Sequence, residues 1–214
     1  ETAMSQQQMQ QALNTGIELA ENCQAKGCNV LCLGEMGIGN TSPSSVWMSL
    51  WGNLPLSSCV GSGSGLNTEG EKHKLTILEQ AVSHFKRQPL PHNDPTTIIQ
   101  YFGGFEMVAA IGAMLRAAEL RMIVLVDGFI MSACMLAASK LYPAVLDYAV
   151  FGHCGDESGH RQLLALMQAQ PILQLGMRLG EGTGALCAYP IIESSVRMIN
   201  EMNNFKDANI DKYF

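Results

Sequence analysis

Charge is scarce in this chain. Only 15% of its 214 residues are Asp, Glu, Lys or Arg, against about a quarter in an average globular sequence. Aromatic residues are scarce too, at 7%, which removes the stacking platforms on which single-stranded nucleic acids bind. The net charge of −6 and a pI near 5.3 disfavour a general nucleic-acid or anionic-membrane surface. They leave room for a small anion held by local backbone amides. No stretch reaches the roughly 18 apolar residues of a membrane span. The first twenty residues, ETAMSQQQMQQALNTGIELA, have neither the basic start nor the apolar block of a signal peptide. No Cys-x-x-Cys pair occurs among the seven cysteines, an odd set placed mostly in apolar runs. That pattern reads as reduced core thiols in a soluble, cytoplasmic protein. The chain begins with Glu1 rather than Met, inside what reads as a helix, so a fragment or processed chain is expected.

What is plentiful is apolar residues, at 47%, and glycine, at 21. The first excludes disorder and implies a large core; the second implies many tight turns and close backbone approaches. The length fits one core, so residues 1–214 are expected to form a single α/β domain.

Met4, Met9, Leu13, Ile17 and Ala20 recur at helical spacing and predict a first amphipathic helix ending before Lys26-Gly27. Short apolar runs near 29–34, 122–126, 148–151 and 171–175 are too short for helices and read as buried strands. Helical patterns at about 70–87, 105–120, 129–141, 158–168 and 183–203 alternate with them. Such alternation predicts an α/β fold with a parallel sheet. Residues 53–69 read as loop, and 88–97 as a proline-punctuated connection.

Ligands of open parallel sheets sit beyond the carboxyl ends of the strands, so the residues after each apolar run carry the information. Glu35 and Glu181 stand in two glycine-bracketed strand ends, where partial burial can raise a carboxylate toward base chemistry. The alternative is two solvated turn carboxylates. Gly37-Ile38-Gly39-Asn40-Thr41 offers bare amides at a helix start, as phosphate cradles do, although it matches no standard nucleotide motif. Gly61-Ser-Gly-Ser-Gly65 reads as a flexible loop, and Lys74 either as a charge for an anion or as a solvated helix residue. The run from His153 to His160 mixes His, Cys and carboxylates, but its spacing fits no standard zinc site; Asp156 or Ser158 reads instead as a helix cap. The carboxyl ends of the strands are expected to gather Glu35, Asp127, His153 and Glu181 around one cleft.

Taken together, GEMGIGNT at 34–41, the glycine loop 61–65 with Lys74, GGFE at 103–106, VDGF at 126–129, the His153–His160 loop and GMRLGEGTGA at 176–185 stand in a specific order. In that order the chain resembles the nicotinate mononucleotide:dimethylbenzimidazole phosphoribosyltransferases, which make the lower-ligand nucleotide of cobalamin. The likeness runs through essentially all of the sequence. It implies a Rossmann-like parallel sheet flanked by helices with a small helical part, usually in a homodimer. It also implies transfer of phosphoribosyl from nicotinate mononucleotide to a benzimidazole nitrogen, with inversion at the anomeric carbon. By the same resemblance Glu181 is the base that deprotonates the acceptor. Glu35, Gly37, Lys74, Gly128 and Arg178 fall at positions that hold the mononucleotide, and neither a metal nor an organic cofactor is expected.

The sequence departs from the family's pattern in two places. Members commonly show Ser-His-Arg-Ser where Gly152-His153-Cys154-Gly155 stands, and Arg-Gly-Thr where Ser62-Gly63-Ser64 stands. Family chains also extend beyond the amino end of this one with a segment that carries part of the acceptor pocket. The second reading is therefore a truncated, inactive relative that serves as a nucleotide-binding or interaction module.

Overall fold

The computed structural model describes residues 1–203; the last stretch of the expected domain, 204–214, lies outside the described residues. The first helix, α1 (Gln6–Ala25), starts where a capping box forms. The Ser5 hydroxyl accepts from Gln8 N at 3.2 Å, and the Gln8 amide oxygen accepts from Ser5 N at 2.9 Å. Met4 before the cap and Met9 inside the helix are both buried, the placement of a hydrophobic staple. Met4 therefore belongs to the helix entry rather than to the helix.

The chain continues through β1 (Val30–Cys32), α2 (Thr41–Gly52), α3 (Thr68–Arg87), α4 (Pro95–Phe102), α5 (Phe105–Glu119), β2 (Ile123–Val126), α6 (Phe129–Leu141), β3 (Ala149–Phe151), α7 (His160–Leu166) and α8 (Thr183–Glu201). The fold is α/β: three parallel strands in the order β1-β2-β3, flanked by helices. Val30 pairs with Ile123 and Leu31 with Val124, while Leu125 pairs with Val150 and Val126 with Phe151. That register brings Cys32, Val126 and Phe151 to one edge, and the loops that follow them to one another.

The helix α6 follows β2 directly and forms the centre of the core. Eleven of its 13 residues are buried, as expected for a helix apolar on every side. It packs against α5, α2 and α7, and α1 lies along α5. Each large apolar side chain fully buried there stabilises the fold by about 1.5–3 kcal/mol.

Three local expectations are corrected. The run 171–175 is not a strand; it makes a single parallel bridge, His153 with Leu173, with Ile172 N–H donating to Phe151 O and Leu173 N–H to Gly152 O, both at 3.0 Å. Pro171 has no N–H to extend the ladder, and the chain then leaves for an exposed glycine turn at Gly176. The connection 88–97 holds the start of α4. Asp94 Oδ2 accepts from Thr97 N at 2.8 Å, with Pro95 in the first turn, where a missing N–H costs nothing. Neither Asp156 nor Ser158 caps α7; its N-cap is Gly159, in the left-handed region at φ +83°.

Candidate active site

Two glycine-rich loops cross at the carboxyl edge of the sheet, one after β1 and one before α8. Gly34 is needed there: a Cβ on it would fall 2.4 Å from the carbonyl carbon of Glu181. At that crossing Glu181 N–H donates to Glu35 O at 3.1 Å. Glu181 adopts φ +60°, a left-handed backbone that non-glycine residues seldom take. Its side chain is exposed and makes no hydrogen bond among the described residues. Glu35 differs, being half-buried. Its Oε2 accepts from Gly37 N and from Asn40 Nδ2 (2.9 Å), while Oε1 has no partner among the described residues. Burial raises the Glu35 carboxyl above its ordinary value. The Asn40 and Gly37 hydrogen bonds oppose this, and the charges of Asp127 and Glu106 add to it.

Behind the crossing, Asp127 at the end of β2 is 1% exposed. Its Oδ2 accepts from Gly182 N at 3.0 Å and its Oδ1 from Ala185 N at 2.9 Å. The ring of His153, also buried, places Nε2 3.5 Å from Asp127 Oδ1, longer than a normal hydrogen bond. Burial alone would raise the Asp127 carboxyl. The adjoining His153 and the two amides outweigh it, so the group is held below its ordinary value. His160 fixes the loop that follows. Gly155 N–H donates to its Nδ1 at 2.9 Å, which leaves the ring proton on Nε2 for Ser132 Oγ at 3.1 Å. Burial, with the His153 charge, pushes the His160 pKa down to about 4, and the ring is neutral.

Beside these residues lies a polar pocket of ≈ 180 Å³ at the start of α2, walled by Thr41, Ser45, Gly61, Gly63, Glu157 and Arg178 among others. Lys74 reaches its edge from α3. Its Nζ donates to Thr41 Oγ1 at 2.9 Å and to Gly61 O at 3.1 Å. Burial lowers the Lys74 pKa, and Glu71 opposes that. Arg178 donates to Ser62 Oγ at 3.1 Å, which ties the loop before α8 to the glycine loop 61–65. The larger depression between α1 and α5, ≈ 350 Å³, is mainly apolar and distant from these loops.

The expected residues are thus brought to one edge, but not to one wall. Glu35 and Glu181 meet through their backbones, and Lys74 and Arg178 frame the polar pocket. Gly128 caps α6, where a Cβ would stand 3.5 Å from His153 Nε2. Asp127 and His153 lie beneath the cleft rather than on it. Thr41 ends the expected phosphate cradle and lines the pocket, whereas sequence reasoning missed Ser45 and Glu157 as pocket walls; the only signal was their nearness to glycine loops. The glycine at 155 goes with Glu157, whose Oε2 would lie 2.3 Å from a Cβ there. Among the described residues no three His, Cys, Asp or Glu side chains are grouped to hold a metal ion.

Comparison with known proteins shows the family and the fold. A family model described as Phosphoribosyltransferase matches residues 1–210. The nicotinate-nucleotide–dimethylbenzimidazole phosphoribosyltransferase of Bacteroides fragilis is 59% identical over 214 residues, covering 100% of this chain and 61% of its own length. The protein of the same name from Parabacteroides distasonis is 53% identical with the same coverage. The crystal structure of CobT from Thermus thermophilus superposes with a TM-score of 0.90 at 33% identity, covering 99% of this chain and 62% of that one. The chain therefore spans about 61% of the length of the curated relatives it matches.

Proposed function

The chain belongs to the phosphoribosyltransferase family whose model it matches over residues 1–210, and from that premise we propose that it transfers phosphoribosyl from nicotinate mononucleotide to dimethylbenzimidazole. The products are α-ribazole phosphate and nicotinate. The observation that carries this reading is the crossing of the two glycine loops. It leaves the Glu181 carboxylate exposed on the loop whose Arg178 lines the polar pocket, with Lys74 bonded to that pocket's Thr41 and Gly61.

In this reading the 5′-phosphate sits at the start of α2, where Lys74, Arg178 and the amides around Gly37 supply positive charge and donors. Lys74 already holds two oxygen acceptors there and exchanges them for phosphate oxygens. The free Oε1 of Glu35 accepts from a ribose hydroxyl, and Gly128 keeps the floor of the cleft open at the start of α6. Glu181 takes the proton from the acceptor's N–H as the other ring nitrogen, with its free in-plane lone pair, attacks the anomeric carbon. The bond from that carbon to the pyridinium nitrogen breaks, its electron pair returns to the ring, and nicotinate leaves without needing a proton. Attack opposite the leaving group inverts the anomeric carbon.

The assembly is a homodimer in this proposal. Its support is the apolar surface of α8, where Leu186, Tyr189, Val196 and Ile199 are exposed. The compartment is the cytoplasm, which agrees with seven free cysteines. No helix among the described residues is long and apolar enough to cross a membrane. The test is to incubate the chain with nicotinate mononucleotide and dimethylbenzimidazole and follow both products by mass spectrometry. Equal amounts of nicotinate and ribazole phosphate are expected; release of neither would reject the assignment.

A further inference from the structure

The carboxylate of Asp127 is 1% exposed, and both of its oxygens are occupied by backbone amides, Gly182 N at 3.0 Å and Ala185 N at 2.9 Å. A carboxylate so engaged does not reach a substrate, so whatever it does for the cleft passes through the groups it holds. Those groups follow Glu181 directly in the chain. Glu181 itself has φ +60°, a conformation costing roughly 1–2 kcal/mol for an L-residue, which persists only where the surroundings over-determine it. Three backbone anchors do so: Glu181 N–H on Glu35 O, and the two amides on Asp127.

The far side of the turn is equally constrained. The ring of His153 is 3% exposed, neither of its nitrogens has a hydrogen-bond partner, and Nε2 lies 3.5 Å from Asp127 Oδ1. A Cβ at Gly184 would fall 1.9 Å from His153 Cδ2, so the turn rests directly on the imidazole. No other side chain contributes a hydrogen bond to the Asp127 carboxylate among the described residues.

We propose that Asp127, backed by His153, is a positioning residue that locks the Glu181 turn in its left-handed conformation and so fixes where the Glu181 carboxylate stands. The inference rests on the assignment of Glu181 as the base, and its test separates the two. The structural arm reads amide hydrogen exchange and needs no turnover. In Asp127→Asn the side-chain amide presents a donor to one of the two N–H groups, so Gly182 and Ala185 are expected to exchange ~10-fold faster or more, while Val124 and Leu125 in β2 keep their protection. The kinetic arm is a double-mutant cycle. Asp127→Asn is expected to lower kcat by ~10²-fold with affinity for nicotinate mononucleotide nearly unchanged. The double variant with Glu181→Gln is expected to be no slower than Glu181→Gln alone.

A residue that only supports the fold would give additive losses and slow both kcat and binding, and that result overturns the proposal. Unchanged exchange at Gly182 and Ala185 overturns it as well. If the unaltered chain makes no product, the transferase reading fails and the exchange data alone decide the anchoring. If Asp127→Asn does not fold, Gly184→Ala replaces it. Its methyl group forces the turn off His153 from the other side, and the same faster exchange and the same lack of additivity are expected; normal exchange in that variant rejects the proposal.

Discussion

The proposed reaction assigns Glu181 as base and Lys74 as anion holder, and single substitutions test the two roles separately. Glu181→Gln keeps shape and loses only the basic oxygen. General-base catalysis contributes typically ~10²–10⁴-fold, so kcat is expected to fall by about that factor while calorimetry finds mononucleotide affinity nearly unchanged; full kcat would make Glu181 a plain turn residue. Lys74→Ala is expected to do the reverse, weakening mononucleotide binding more than it slows the chemical step. The lysine also sets a pH dependence. Burial places its pKa below the ordinary lysine value, so anion affinity falls as pH rises through that lowered pKa, earlier than for a solvated lysine. Titrating the dissociation constant against pH checks this: the alkaline limb should vanish in Lys74→Ala, and its survival would assign the limb to another group.

The loop between β3 and α7 depends in the same way on one buried neutral side chain. The His160 pKa is pushed from its ordinary 6.5 to about 4, so between those values the unfolded chain binds a proton that the folded chain does not. Its contribution is complete above 6.5 and is lost as pH falls toward 4. By linkage the loss reaches about 3 kcal/mol. Chemical denaturation of His160→Gln against the parent should show a shallower acid decline, and equal slopes would refute the role of His160. Elements of this kind were unevenly legible. The 3.6-residue period marked α1, α3, α5 and α8 to within a few residues, and α6 was legible as a long apolar run. The short helix α4 hid among prolines, although Asp94-Pro95 is itself a cap followed by a first-turn proline. The run at 171–175 looked like a strand because its residues are apolar, but pattern cannot show that Pro171 ends the ladder after one bridge. At the site, glycines and carboxylates were legible by position. The anchoring of Gly182 and Ala185 by Asp127 was not, because those partners stand 55 and 58 positions apart.

Across the whole molecule, stability and exposure are separated in space. The α6 core sets stability: Leu136, 1% exposed, is expected to cost ~2–5 kcal/mol on truncation to Ala, read from urea denaturation. The α8 surface is instead left apolar, and sedimentation is expected to find a dimer that Ile199→Glu weakens; a monomer at every concentration would remove the homodimer from the account. The sheet's carboxyl edge joins these regions, bringing the ends of β1, β2 and β3 and the loops that follow them together. The proposed reaction is a single displacement, with no covalent enzyme intermediate and one inversion. The most direct measurement is therefore the anomeric configuration, by NMR, of the nucleotide formed when the chain is incubated with nicotinate mononucleotide, the β anomer, and dimethylbenzimidazole. The α anomer is expected; a β product, or no nucleotide at all, would contradict direct attack by a base-activated acceptor.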